Sequence, residues 1–238
     1  MAPKVVSSEE WLAARRRLHS QEQAEFAARQ AVNSARQQLP MREIDQGYVF
    51  EGPDGKVSLL DLFEGKRQLI TYHFMYDPQW DEGCKQCSFI ADNIGDLSHL
   101  KALDTSLVLV SRAPYDRIAP FKERMGWTVP WVSSHGTRFN YDFHVTLDEA
   151  VAPVEYDYMD KAALEQDGRW FTEGEAGGMS VFWREDDDTV YHTYSAYAEG
   201  IDVLHGTLLY ADMTPLGRRD DLGRSWLRHH DRYAPAEV

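Results

Sequence analysis

The chain has 238 residues, 43% of them hydrophobic, with seven Trp, twelve Tyr and ten Phe. That suffices for a sizeable core in one elaborated domain and is too aromatic for intrinsic disorder. Lys plus Arg number 25 against 39 Asp plus Glu, a formal charge of −14; such a chain repels phosphate backbones, so nucleic acid is excluded as an expected partner.

Residues 7–39 predict one long helix. Ser7 followed three positions on by Glu10 fits a capping box, and Pro40 stops the run. Trp11, Leu18, Phe26, Val32 and Leu39 give it only a sparse apolar stripe. Such a helix, about 50 Å long, outreaches a small domain. Residues 1–40 are therefore expected to be an arm that either covers the core or pairs two copies as a homodimer. No run reaches the ~18 apolar residues of a membrane span, and the N-terminus lacks an apolar signal-like stretch. The expectation is a cytoplasmic chain with no membrane partner.

From residue 41 strands and helices alternate. Residues 47–55 (GYVFEGPDG) predict a strand into a Pro-Asp-Gly turn, then a short helix at 60–63. Residues 68–75 (QLITYHFM) and 106–111 (SLVLVS) predict buried strands, 88–103 and 115–125 helices, and 127–132 an extended segment. Residues 148–188 hold thirteen acids against three basic residues and predict an acidic, loop-like surface insertion. Strands at 179–184 and 189–194 follow, then a closing helix from IDVLHGTLLY and a surface tail at 217–238. A β-α-β start followed by a β-hairpin is the order of a thioredoxin-like α/β sandwich, here at 41–216.

Only two cysteines occur, Cys84 and Cys87. A Cys-x-x-Cys opening a helix just after a buried strand has a specific chemistry. The first thiolate is stabilised by backbone N–H groups and the helix dipole; the second thiol, one turn on, resolves a mixed disulfide. Cys84 is the candidate nucleophile and Cys87 the resolving thiol. Lys85 favours the thiolate, whereas Asp81 and Glu82 oppose it. Trp80 either roofs the site or packs. Arg112, at the C-terminal end of the strand 106–111, either attracts an anionic substrate or pairs with an acid. His192, with Tyr194 and Tyr197, offers a base, while His229 and His230 read as solvated. No phosphate-binding loop is present, so no nucleotide cofactor is expected.

The segment GKVSLLDLFEGKRQLITYHFMYDPQWDEGCKQC resembles the opening of thioredoxin-like folds of the TlpA and peroxiredoxin type. More closely, YHFMYDPQWDEGCKQCSF, VSRAPYDRI, RMGWTVPWVSS, FNYDF and VYHTYSAYAEG resemble a bacterial family catalogued as domain of unknown function family 899. The resemblance runs from about residue 7 to 219 and implies a thioredoxin-like fold. Two departures matter. Peroxiredoxins place Pro seven residues before the cysteine and Thr or Ser three before it; here Pro78 lies six before Cys84, and Asp81 stands at the hydroxyl position. Thioredoxins carry a cis-proline opposite the cysteines; the matching Gly177-Gly178-Met179-Ser180 has none, and a trans backbone is expected.

Sco-type copper proteins resemble this layout, with a ligating His where the cis-proline would be. Met179, a thioether suited to Cu(I), holds the matching place here, and His73 and His144 are further candidate ligands. Two readings lead: a thiol–disulfide oxidoreductase needing no cofactor and acting on a thiol or disulfide substrate, or a copper or zinc protein using Cys84, Cys87 and Met179 or a His. A third is an interaction module working through the N-terminal helix.

Overall fold

A computed structural model describes residues 3–44 and 47–234. Helix α1, Ser8–Arg36, forms as the capping box requires: the Glu10 N–H donates to Ser7 Oγ at 3.2 Å, and the Ser7 N–H donates back to the Glu10 carboxylate at 3.0 Å. None of its residues is buried. At its C-terminal end the Arg36 guanidinium lies 4.6 Å from the Tyr194 ring.

The body is built on β1 (Arg42–Glu43), β2 (Val49–Gly52), β3 (Gly55–Ser58), α2 (Leu59–Leu62), β4 (Gln68–His73), α3 (Lys85–Asp92), α4 (Ser98–Ala102), β5 (Thr105–Ser111), α5 (Tyr115–Arg124), β6 (Trp131–Ser133) and α6 (Phe139–Asp142). There follow β7 (Thr146–Leu147), β8 (Glu155–Tyr156), β9 (Met159–Asp160), α7 (Lys161–Gln166), β10 (Gly174–Glu175), β11 (Gly178–Arg184), β12 (Val190–Tyr197) and α8 (Gly206–Asp212). Among the described residues eight strands form one sheet in the order β1-β12-β11-β4-β5-β6-β2-β3. β4, β5 and β6 run parallel, while β11 is antiparallel to β4 and to β12. The core β5-β4-β11-β12, a parallel βαβ unit joined to a hairpin, is the thioredoxin-like arrangement.

Strand parity sorts the core into two faces. Tyr72, Phe74, Leu109 and Trp131 point to one side, where Ile90 and Ala91 of α3 and Ile118 and Phe121 of α5 cover them. Leu69, Val108, Val110, Val132 and Phe182 point to the other, under Leu59 and Leu62 of α2 and Phe139 of α6. At β12 the register shifts opposite Val181/Phe182. This bulge puts His192 on the same side as Ser195, whose hydroxyl it meets at 2.8 Å.

Four expectations need correction. Residues 88–103 are not one helix: the Asn93 amide caps the Phe89 carbonyl at 2.6 Å, and Asp96 accepts from the Ser98 N–H at 2.8 Å to restart the chain as α4. The closing helix is split into a 3-10 turn, Ala198–Leu204, and α8. The acidic insertion is no bare loop, because Val145, Leu147, Val154, Tyr156, Leu164 and Ala176 give it a small core of its own. Nor is His229 of the surface tail solvated. Leu227 and His229 are buried, the His229 ring meets the Gly83 carbonyl at 3.0 Å, and Arg124 pairs with Asp231. Residues 1–2 of the arm and 235–238 of the tail lie outside the described residues.

Gly83, just before the thiols, has no room for a side chain: a Cβ there would fall 2.6 Å from the Phe74 ring and 2.8 Å from the Phe121 ring. Gly83→Ala is expected to lower stability by about 1–3 kcal/mol through overpacking. A denaturant midpoint equal to the parent's would contradict this.

Candidate functional site

Cys84 is the N-cap of α3, with an extended backbone (φ −57°, ψ 132°) and no side-chain cap. Its N–H donates to the Met75 carbonyl at 3.0 Å, which hangs the start of the helix on the end of β4. Free N–H groups of a helix's first turn favour a negative charge. A hydrogen bond from the Cys87 thiol is the largest influence on Cys84, with further donation from the Cys87 and Gln86 N–H groups and the positive Lys85 beside it. Together they outweigh burial and lower its pKa to about 6. Cys87 is buried, and desolvation pushes its pKa well up. Its sulfur accepts from the Met75 N–H at 3.3 Å and is hydrogen-bonded to the Tyr72 hydroxyl. One thiol is ionised near neutrality and its neighbour is held as a thiol.

Of the two acids before the motif, Glu82 is engaged elsewhere: it pairs with Arg124 at 2.6 Å and with Arg232. The backbone carbonyl of Asp81 accepts from the Tyr76 hydroxyl. Lys85 is exposed and acts on Cys84 by charge alone. Trp80 is 40% exposed, and its carbonyl accepts from Arg117 at 3.0 Å.

Arg112 is not an open anion site. It pairs with Asp77 and Glu175, the latter at 2.7 Å, and donates to the Tyr141 hydroxyl at 3.4 Å. Asp77 lies on the loop before Cys84, and Glu175 lies two residues before Gly177. Desolvation raises the pKa of the Glu175 carboxyl, while Arg112 and Thr146 pull it down. Gly177 is the residue that faces the inner thiol: a Cβ there would lie 4.0 Å from Cys87 Sγ. Among the described residues no peptide bond is cis, and the Tyr156 hydroxyl donates to the Gly177 carbonyl at 2.8 Å.

The proposed metal ligands are only partly brought together. Met179 packs on the same cluster as Cys84 and Cys87. His73 points to the opposite face, against Phe139 and Phe143, with Nε2 at 2.8 Å from Ser180 Oγ; burial lowers its pKa to about 3. His144 lines a separate cavity of about 210 Å³ beside Arg42 and His192. Among the described residues no three His, Cys, Asp or Glu side chains are grouped to hold a metal ion, so the residues present do not fit a histidine-completed centre.

Beside Cys87 lies a cleft of about 610 Å³, lined also by Gln86, Tyr72, Met75 and Ile90. Phe171 and Trp170 of the insertion and Arg218 and Arg224 of the C-terminal segment also line it. Sequence reasoning missed these residues and Glu175. The only signal for Tyr72 is parity, two before Phe74 on the strand leading to the cysteines. No helix among the described residues is long and apolar enough to cross a membrane.

The model of a family described as bacterial protein of unknown function (DUF899) matches residues 1–233. No curated protein matches the chain. Among solved structures the chain is similar to the peroxidoxin BcpB of Mycobacterium tuberculosis, at 13% identity and TM-score 0.46, covering 71% of this chain and 92% of that one. It is similar to the bacterioferritin comigratory protein of Xanthomonas campestris at 11% identity and TM-score 0.45, covering 73% and 95%. For BsSco, a Sco-family protein, the figures are 15%, 0.35, 74% and 97%.

The thiol asymmetry has a direct readout. Alkylation by iodoacetamide is expected at Cys84 alone, with a rate half-maximal near pH 6, because the lowered pKa leaves the thiolate dominant at neutrality. A midpoint at the free-cysteine value of about 8.5 would contradict it.

Proposed function

We propose that this chain, which belongs to the DUF899 family of bacterial proteins of unknown function, is a thiol–disulfide oxidoreductase. The observation that carries the reading is the split between an ionised Cys84 at the helix N-terminus and a buried, protonated Cys87 hydrogen-bonded to it. Two thiols of equal character would compete; these two act in sequence. The Cys84 thiolate attacks one sulfur of a substrate disulfide and the other half leaves as a thiolate. Cys87 then loses its proton to solvent and attacks Cys84 Sγ. The Cys84–Cys87 disulfide forms, the second substrate thiolate leaves, and two electrons have passed from the pair to the substrate.

Burial keeps Cys87 from attacking first, and the nearby Tyr72 hydroxyl, itself hydrogen-bonded to Cys87, stabilises that sulfur as it ionises. Arg112 is a positioning residue that fixes the Asp77 loop and the Glu175 strand relative to each other. Stabilising the Cys84 thiolate favours the reduced pair, which shifts the couple toward the oxidising side. Among the described residues no histidine completes a centre with Cys84 and Cys87, whereas the exchange chemistry needs no group beyond the two thiols.

Metal-stripped protein equilibrated with glutathione and dithiothreitol buffers, read by intact mass, is expected to show one two-electron transition between about −120 and −270 mV. Cys84→Ser should abolish exchange, and Cys87→Ser should accumulate a mixed disulfide on Cys84. Absence of any disulfide over that range, or unchanged exchange in both variants, would overturn the reading.

A further inference from the structure

The cleft that ends at Cys87 has the size and lining of a binding site. Its volume of about 610 Å³ falls within the span of small-molecule sites, roughly 300–1,000 Å³. Its floor is apolar, from Met75, Ile90, Phe171 and Ile201, and Trp170 stands at the rim with 86% of its surface exposed. An indole so exposed beside an apolar floor is suited to stacking on a flat group.

Three arginines line this cleft, and their states differ. Arg169 is taken by Asp167 at 2.7 Å and Glu199 at 2.8 Å. Arg218 is taken by Asp202 at 2.7 Å and Asp212 at 2.6 Å. Arg224 is exposed, and its guanidinium has no ion-pair or hydrogen-bond partner among the described residues. Of the lining acids, Glu199 and Asp202 are used by those two arginines, which leaves Arg224 at the exposed mouth and the half-buried Asp157 as the charges of the cleft outside any ion pair among the described residues. The segment that presents it is fixed, because Leu227 and His229 are buried and the His229 ring is bonded to the Gly83 carbonyl next to Cys84. The C-terminal segment thereby supplies a positive charge at a set place relative to the thiols.

We propose that the substrate is a low-molecular-weight disulfide with an apolar or aromatic body and an anionic group such as a carboxylate, and that Arg224 is the specificity-determining residue that receives the anion. This rests on the exchange reading above. The bonds made and broken are those already described: the Cys84–substrate disulfide forms and gives way to Cys84–Cys87, and both substrate halves leave as thiolates. The cleft adds selection to that chemistry, since a bound carboxylate meets a guanidinium at the rim while the apolar body is removed from water.

The test uses full-length reduced protein and two aromatic disulfides, dithiobis(nitrobenzoate), which carries a carboxylate on each ring, and dithiodipyridine, which is uncharged. Stopped-flow rates of thiolate release are measured for the parent, R224Q, R224K, R17Q and C84S. R224Q is expected to slow the nitrobenzoate roughly tenfold and leave the pyridine reagent unchanged, a loss of one charge-assisted contact. R224K should recover part of the loss. R17Q makes the same change in net charge on exposed α1, where Arg17 has no place in the cleft, and is expected to alter neither rate. Equal slowing of both reagents by R224Q, slowing of neither, or an equal effect from R17Q would overturn the role of Arg224 and the anionic substrate class. A C84S protein that reacts with both reagents at the parent rate would instead overturn the exchange reading, so the two failures are distinct.

Discussion

A single guanidinium fastens the parts that frame the thiols. Arg112, at the end of β5, joins Asp77 on the loop before Cys84, Glu175 on β10 and Tyr141 on α6. The Glu175 side chain is only 1% exposed. A carboxylate so deeply buried is tolerated only with a cation and donors around it, and Arg112 and the Thr146 hydroxyl meet that need. Because Arg112 binds Glu175 with one edge and Asp77 with another, the loop that ends in Cys84 and the segment that leads to Gly177 cannot move independently.

The missing proline opposite the cysteines is explained at the same place. In thioredoxin-like chains a cis-proline fixes the backbone that substrates meet; here Gly177 occupies that region with a trans bond. A Cβ at Gly177 would make ordinary contacts, the nearest at 3.7 Å, so space does not demand glycine there. The neighbouring Gly178 is different, since a Cβ would fall 2.7 Å from the Tyr197 ring. Order comes instead from Tyr156, whose hydroxyl takes the Gly177 carbonyl and receives the Ala198 N–H at 3.2 Å. Tyr156 belongs to the insertion, so a hydrogen bond from an added element does the restraining that a ring-locked residue does elsewhere.

What was legible in the sequence was local. Ser7 with Glu10, the apolar runs of β4 and β5, and the thiols at a strand-to-helix junction each carry their signal within a few residues. The side of the sheet on which a residue lands is not local. His73 and Tyr72 are neighbours in an apolar run, yet alternation sends one to Ser180 and the other to Cys87. The bulge at β12 reverses parity between His192 and Tyr194, which no spacing rule foretells. The anchoring of the C-terminal tail is not legible because its two buried residues, Leu227 and His229, stand among charges whose partners lie more than a hundred residues away, as in Arg124 with Asp231. In the insertion, Val154, Tyr156 and Leu164 are scattered among thirteen acids and make no run long enough to carry a helical or strand period.

These two segments change what the thioredoxin-like core can do. A helix N-terminus bearing a low-pKa thiol works on any disulfide that reaches it, and an open surface around it admits protein loops. Here the insertion raises Phe171 and Trp170 on one side of Cys87 and the C-terminal segment raises Arg218 and Arg224 on another. Both are pinned by long-range contacts, the first by Glu175 on Arg112 and the second by His229 on Gly83. The nucleophile's reactivity is set within one helical turn, by hydrogen bonds and charge. Access to it is set by segments distant in sequence. The two can change separately, so under the proposed exchange function selectivity would come from the walls rather than from the sulfurs.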